Sequence, residues 1–385
     1  MMGMTYAPIP KWRNIAKALT KTSLTENILS MRWASKNERS YWFSRASWSI
    51  YAIVKFRLLT NQSLHVNLWL PDYFCNEATA AIRSLSIKLS FYPVLPDGMP
   101  NLEVCNKMLD QFPPDVILYV NYFGESCFSK GLYDIALNTN AWLIEDSAHC
   151  LKPEKGIGKY GDFVIYSPHK LLPIPDGGVL VIRPNGPSKI ESSFLDEYDF
   201  DSLYNSIINI PKHSNLLSFK WLTKRIIQKL HLHFLRKLNK FKQGGLLVTI
   251  DNLPHPKMSW LAKKLLSSFL DIETEAIHRK KIQKEWKDNL KKNMLFETEN
   301  IRINKINHIP YMAKLITNDR VNSQNIFELL HQSGIPVSLW PDLPPEVLQR
   351  PNTHNIAIEM SESCIFLPVH SSINEKKLRA KIRSI

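Results

Sequence analysis

Short apolar runs alternate along the chain with stretches of helical spacing. Residues 64–70, 89–92, 116–120, 142–145, 163–166 and 179–182 are nearly continuous apolar runs, the pattern of strands covered on both faces. Between them, residues 76–84 and 130–138 show helix-like spacing, and Pro96-Asp97-Gly98 marks a turn. Upstream, the positions of Ala46, Ile50, Ile53, Val54 and Leu58 predict a helix within residues 44–60. Strands separated by helices imply right-handed crossovers and a mostly parallel sheet. Past Asn185-Gly186-Pro187 the pattern turns helical. Residues 216–242 are amphipathic, with Leu217, Trp221, Ile227, Leu230, Phe234, Leu238 and Phe241 among the charges, and Gly244-Gly245 is a stop. A second long helix is predicted over 268–291. The C-terminal part reads as short strands at 301–303, 312–316 and 365–367, with helices at 325–333 and 378–382.

The expected fold class is therefore α/β: a mostly parallel central sheet with flanking helices, plus a smaller α+β C-terminal domain. The division expected is an N-terminal arm over 1–40, a large domain over 41–250 with a basic helical insertion at about 214–243, and a small domain over 251–385.

Ligands of such sheets bind outside the carboxyl ends of the strands. Three predicted strands end in polar or aromatic groups there: Asp146 after 141–145, Ser167-Pro168-His169-Lys170 after 163–166, and Asn121-Tyr122-Phe123-Gly124 after 116–120. A lysine and a carboxylate at the ends of two buried strands are what pyridoxal 5'-phosphate (PLP) requires. The amine bonds to the cofactor aldehyde, and the carboxylate keeps the pyridine nitrogen protonated. Plainer readings stand beside this one. Lys170 also fits a surface loop, Asp146 a helix cap, and His149 a core hydrogen bond. Trp340-Pro341 and His370 read as packing of the small domain.

Composition narrows the class without naming it. The chain has 385 residues, 44% hydrophobic and 22% charged, ordinary for a globular protein with a large core. No apolar run reaches the roughly 18 to 20 residues that span a bilayer, and residues 1–13 lack a signal-peptide segment; a cytoplasmic location is expected. Cys75, Cys105, Cys127, Cys150 and Cys364 are scattered and odd in number, which points to reduced thiols with neither a disulfide framework nor a metal site. The net charge of +14 suits phosphorylated substrates, nucleic acid or an anionic membrane. Residues 220–242 hold eight Lys/Arg and no Asp or Glu. They read as a solvated, packed or oligomer-facing helix; peripheral membrane contact through 216–242 is the alternative.

These residues resemble the DegT/DnrJ/StrS family of sugar aminotransferases, PLP enzymes of the aspartate aminotransferase fold (fold type I). Glu145-Asp146-Ser147-Ala148-His149 resembles the family's E-D-x-A-[QH]. Gly161-Asp162-Phe163, Ser167, Lys170 and Gly177-Gly178 resemble its G-D-F…S…K…GG block. Ser44-Arg45-Ala46-Ser47 is similar to its phosphate-loop segment, Pro71-Asp72-Tyr73-Phe74-Cys75 falls where members have P-A-x-T-x, and Leu367-Pro368-Val369-His370 resembles a C-terminal element.

The resemblance implies roles. Lys170 is the Schiff-base lysine and proton carrier, and Asp146 the partner of the pyridine nitrogen. His149 lies by the ring, and Ser167 with the amides of Ala46 and Ser47 binds the phosphate. Tyr73, Phe74, Cys75, Asn121, Tyr122 and His169 are the candidates for ring stacking or substrate contact. The sequence also departs from the family. Ser167 and Lys170 are closer together than usual, in an S-x-H-K form. The G-x-N-x-R-M-S segment, which reaches a neighbouring subunit's phosphate site, is not recognisable; Asn205–Asn209 and Asn215 are faint candidates.

The expected function is amine transfer, from glutamate or a similar donor, to a keto sugar attached to a nucleotide diphosphate, in glycan or polysaccharide synthesis. A homodimer without nucleic-acid partners is expected. The alternatives are a PLP-dependent lyase or a transferase on a non-sugar substrate, and a degenerate relative acting as a scaffold.

Overall fold

The computed structural model describes residues 4–61, 65–210, 215–230, 249–268, 272–290, 302–303, 308–317, 320–340 and 342–385. A central sheet holds β1 (Arg39–Phe43), β2 (Val66–Pro71), β3 (Ile87–Tyr92), β4 (Val116–Val120), β5 (Trp142–Ser147), β6 (Phe163–Tyr166) and β7 (Gly178–Ile182), in the order β1-β7-β6-β5-β4-β2-β3. Strands β2 to β6 run parallel; β7 is antiparallel to β6, and β1 to β7. Every residue of β4, β5, β6 and β7 is buried. That explains why these strands read as unbroken apolar runs.

Strand β1 was not among the expected strands, and it straddles the expected boundary at residue 40. It alternates instead: Tyr41 and Phe43 enter one core and Trp42 the other. The helix Leu102–Gln111 was missed too, since Cys105 is its one buried residue; its signal was the Asn101 cap, which accepts from Val104 N–H.

Three cores follow from this plan. The first lies between the sheet and the helix Ala46–Thr60. The second covers the other face, where Trp42, Val164, Tyr166, Val179 and Val181 pack against Leu29 and Trp33 and against Leu261 and Leu265 of the helix Trp260–Ser268. The arm and the residues just after 250 cover the large sheet, because its outer side chains need apolar partners. The helix expected over 268–291 is present as Ile272–Leu290, and a further helix, Trp260–Ser268, comes before it. The helix Ile272–Leu290 starts in the second core with Ile272 and Ala276 and ends in the third with Ile282, Trp286 and Leu290. The third core backs an antiparallel sheet of β8 (Arg302–Ile303), β9 (Met312–Ile316) and β10 (Cys364–Pro368).

Of the basic stretch, Asn215–Lys229 is helical, with Trp221 and Leu222 against the second core and Leu217, Phe219 and Ile227 exposed. Its expected second half and the Gly244-Gly245 stop lie outside the described residues. No helix among the described residues is long and apolar enough to cross a membrane.

Polar contacts tie the C-terminal part to the end of β2. Asp72 Oδ2 pairs with His354 Nδ1 at 3.0 Å, Asn76 Nδ2 donates to Asp342 Oδ2 at 3.0 Å, and Arg83 Nη2 donates to Glu346 Oε2 at 2.8 Å.

Candidate functional site

A cavity of about 280 Å³ opens at the carboxyl ends of β4, β5 and β6, close to the smallest of typical ligand pockets, roughly 300 Å³. Lys170, Asp146, Ser167 and His149 line it together with the start of the helix Ala46–Thr60.

Asp146 is the penultimate residue of β5, paired in register with Val120 of β4 and Ile165 of β6. Its Oδ1 accepts from Ala148 N–H at 2.9 Å. Burial pushes its carboxyl up, while the charge of Lys170 and the Ala148 N–H pull it down. A buried carboxylate in this balance calls for a cationic or N–H partner in the cavity. Its neighbour Glu145 points elsewhere: it accepts from Lys159 N at 3.0 Å, Tyr160 N at 3.2 Å and Asn121 Nδ2 at 2.8 Å. Glu145 thus fastens the loop around residue 158. Asp162, of the Gly-Asp pair, is also structural, holding Leu143 N–H and Ser188 N–H at 2.8 Å each.

Ser167 follows β6, and Pro168 starts a helical turn, Pro168–Leu171, that carries Lys170. Lys170 N–H bonds back to Ser167 C=O at 2.9 Å, so the two side chains sit on one tight turn. Ser167 Oγ is fully buried and has no hydrogen-bond partner among the described residues. A buried hydroxyl in that state costs stability unless a ligand meets it. Lining the same cavity, the helix Ala46–Thr60 starts after Arg45 without a side-chain cap. Its first N–H groups are an anion site waiting for an acceptor. Gly178 permits the approach, since a Cβ there would lie 2.8 Å from Ala46 N.

The two histidines carry their protons on opposite nitrogens. Phe123 N–H donates to His149 Nδ1 at 3.4 Å, so Nε2 holds the proton. His169 Nδ1 lies 2.8 Å from Gly177 C=O and must donate, leaving Nε2 as acceptor. Burial and the charge of Lys170 hold His149 well below the usual range; burial and Arg45 do the same to His169. Both rings are neutral, one offering a donor and one an acceptor.

Ala46, Ser47, Phe74, Cys75, Asp146, His149, Ser167, His169 and Lys170 line one cavity. Three expected contacts do not. Tyr73 is fully buried behind the wall, stacked on Trp340 at 4.0 Å. Asn121 is spent on Glu145, Ser147 and Cys127 N–H. Tyr122 O–H donates to Tyr73 C=O. Asn121 and Tyr122 are held in structural hydrogen bonds and Tyr73 is buried against Trp340, so the aromatic side chains lining the cavity are Phe74, His149 and Trp340.

Sequence reasoning missed Arg45 and Glu77 as cavity residues and took Trp340 for domain packing. It also missed Arg279, which is fully buried. Arg279 Nη2 donates to Leu171 C=O at 2.7 Å and Nη1 to Tyr311 C=O at 3.0 Å, while Nε pairs with Glu275 at 2.8 Å. Arg279 and Tyr311 come from distant chain segments, and nothing local marks them.

The donor set fits PLP. Asp146 suits the pyridine nitrogen, His149 Nε2–H an oxygen on the ring, Lys170 the aldehyde, and the partnerless Ser167 Oγ with the uncapped helix start suits the phosphate.

Residues 100–192 match the model of the DegT/DnrJ/EryC1/StrS aminotransferase family, the one the motifs resemble. The match takes in Asp146, His149, Ser167 and Lys170. No curated protein sequence matches the chain. Among solved structures, the chain is similar to Helicobacter pylori PseC, an aminotransferase of pseudoaminic acid biosynthesis (14% identity, 99% of this chain and 98% of that one, TM-score 0.69). It is also similar to Streptococcus pneumoniae Spr1654 in its PLP form (14% identity, 99% and 97%, TM-score 0.68). DesI in the presence of its TDP-sugar product is a third (13% identity, 100% and 92%, TM-score 0.65). The chain has the fold of these enzymes over its whole length.

Proposed function

We propose that this chain is a PLP-dependent sugar aminotransferase, moving an amino group from a donor such as glutamate to a keto sugar carried on a nucleotide diphosphate. The convergence of Lys170, Asp146 and the partnerless Ser167 Oγ on one cavity carries the reading. The family match over 100–192 and the solved neighbours, one with a TDP-sugar product, support it. The reading includes a cytoplasmic homodimer serving glycan or polysaccharide synthesis.

When bound, PLP supplies an aldehyde that takes up amines and a ring that withdraws electrons from the carbon bearing the amine. The chain's residues do the rest. Asp146 holds a proton on the ring nitrogen, which sustains the withdrawal. Lys170 Nζ takes a proton from the donor's carbon and returns one to the acceptor's carbon. His149 donates from Nε2 to fix the ring's tilt. Ser167 and the amides of Ala46 and Ser47 hold the phosphate, and Phe74, His149 and Trp340 keep water from the reacting carbon.

The test is direct. Purified protein mixed with PLP should gain visible absorbance that Lys170→Ala abolishes. Glutamate plus a panel of keto sugar nucleotides should then give 2-oxoglutarate and an amino sugar. Absence of PLP binding would sink every PLP-enzyme reading. Binding with no amine transfer to any keto sugar would remove the sugar assignment and favour the lyase or non-sugar transferase.

A further inference from the structure

We propose that Arg45 completes the phosphate end of this cavity from within its own chain, as a cationic ligand for the phosphoryl group of PLP. The inference rests on the PLP reading above and adds to it a residue outside the expected set.

The inventory of cavity charges leads there. A phosphoryl dianion in a half-closed cavity needs more than neutral donors. Ser167 Oγ and the first amides of the helix Ala46–Thr60 are neutral. Four cavity-lining groups are nominally basic: Arg45, Lys170, His149 and His169. Burial disfavours the cationic form of both imidazoles, Arg45 adds to this at His169, and His149 accepts Phe123 N–H at Nδ1. Lys170 is committed to the aldehyde end. Arg45 is left, a group that stays charged in any protein setting.

Its position suits the task. Arg45 is the residue before the uncapped helix start, and its neighbours Ala46 and Ser47 line the same cavity as Ser167. Its Nη1 donates to Pro175 C=O at 3.2 Å, which fixes the guanidinium with one of its five N–H groups. Two carboxylates, Asp176 and Glu77, favour its charge through space. Asp176 Oδ1 is already engaged by Ser259 N–H at 2.8 Å. Burial disfavours the charge of the half-buried guanidinium, and an arriving anion relieves that cost. The chain also lacks a recognisable G-x-N-x-R-M-S segment, so an internal cation takes on added weight.

Binding of PLP and of pyridoxal, which has no phosphate, separates a phosphate ligand from a structural residue. In Arg45→Gln the Kd for PLP should rise about 10- to 100-fold, the range for a lost charge-assisted bond, while the Kd for pyridoxal stays within about twofold. Arg45→Lys keeps the charge and should retain most of the preference for PLP, which covers the case that Arg45→Gln fails to fold. Inorganic phosphate should compete with PLP in the native chain and compete about tenfold less well in Arg45→Gln. Equal losses for PLP and pyridoxal would make Arg45 structural and overturn the proposal. Unchanged PLP binding would overturn it too, including when binding of a nucleoside diphosphate weakens, since the cation would then serve the substrate. Failure of the native chain to bind PLP would overturn the functional reading itself.

Discussion

The imidazole of His149 lies flat on the phenol ring of Tyr311, with centroids 4.4 Å apart and planes 7° from parallel. Tyr311 stands just ahead of β9 and its amide donates to Phe123 C=O at 2.9 Å. Its own carbonyl takes Arg279 Nη1, and the same guanidinium holds the carbonyl of Leu171, next to Lys170. One buried cation therefore couples the backing of His149 to the turn that carries the lysine.

Tyr311→Phe keeps the stacked ring and should leave PLP affinity within about threefold. Tyr311→Ala removes it. An aromatic contact of this kind contributes about 1 kcal/mol beyond its area, so the Kd for PLP should rise about fivefold as His149 loses its backing. Titration by visible absorbance reads both. Equal affinity in Tyr311→Ala would mean that the stack does not set the histidine.

Arg279 predicts a stability effect. Arg279→Met leaves Glu275 buried without its partner and three carbonyls without a donor, an expected loss of about 3–5 kcal/mol in urea unfolding. Adding Glu275→Leu removes the stranded charge and should recover part of the loss. A double variant no better than the single one would show that the carbonyl bonds, not the ion pair, carry the stability.

Acid should destabilise the fold through its buried imidazoles. His370 is fully buried, donating from Nε2 to Thr5 C=O and accepting Ser372 N–H at Nδ1. Burial and the charge of Arg279 push it down to about 3. His149 and His169 are lowered likewise. A group depressed in the folded state binds its proton more readily when unfolded. Its stabilising contribution is present above the unfolded value of 6.5 and is lost as pH falls from there toward 3. At about 1.4 kcal/mol per unit, His370 alone costs about 2 kcal/mol at pH 5. Thermal melts should fall from pH 7 to pH 5, and His370→Gln should flatten the slope. An unchanged slope would place the acid sensitivity elsewhere.

What the sequence made legible was what short-range pattern encodes. Fully buried strands such as Val116–Val120 and Phe163–Tyr166 stand out because both faces are apolar, and Lys170 and Asp146 could be read from their ends. Contacts set by distant segments were not legible. Tyr73 and Tyr122 have the right chemistry for a ligand wall, yet Trp340, from the C-terminal part, takes the face of Tyr73. Asn121 sits at the right strand end but is drawn to Glu145, a carboxylate one residue from Asp146. The arm looked separate because β1 is a two-faced strand paired with β7, more than a hundred residues later in the chain.

Asp146→Asn probes the proton-holding role without emptying the cavity. The amide oxygen can keep the Ala148 N–H, so the end of β5 and the cavity should persist. The other carboxylate oxygen becomes an NH2 donor, and the side chain can no longer hold a proton on a ring nitrogen by charge. PLP should still bind through Lys170 and the phosphate end, with a modest rise in Kd. Removing one electrostatic partner of the reacting system costs about 10²- to 10³-fold in rate, so kcat for amine transfer should fall by that factor while KM changes little. Single-turnover rates with glutamate, followed by the loss of visible absorbance, give the first half of the reaction alone and should show the same fall. A rate within tenfold of the native chain would mean that Asp146 serves the fold, through Ala148, and that the electron-withdrawing state is held by another group.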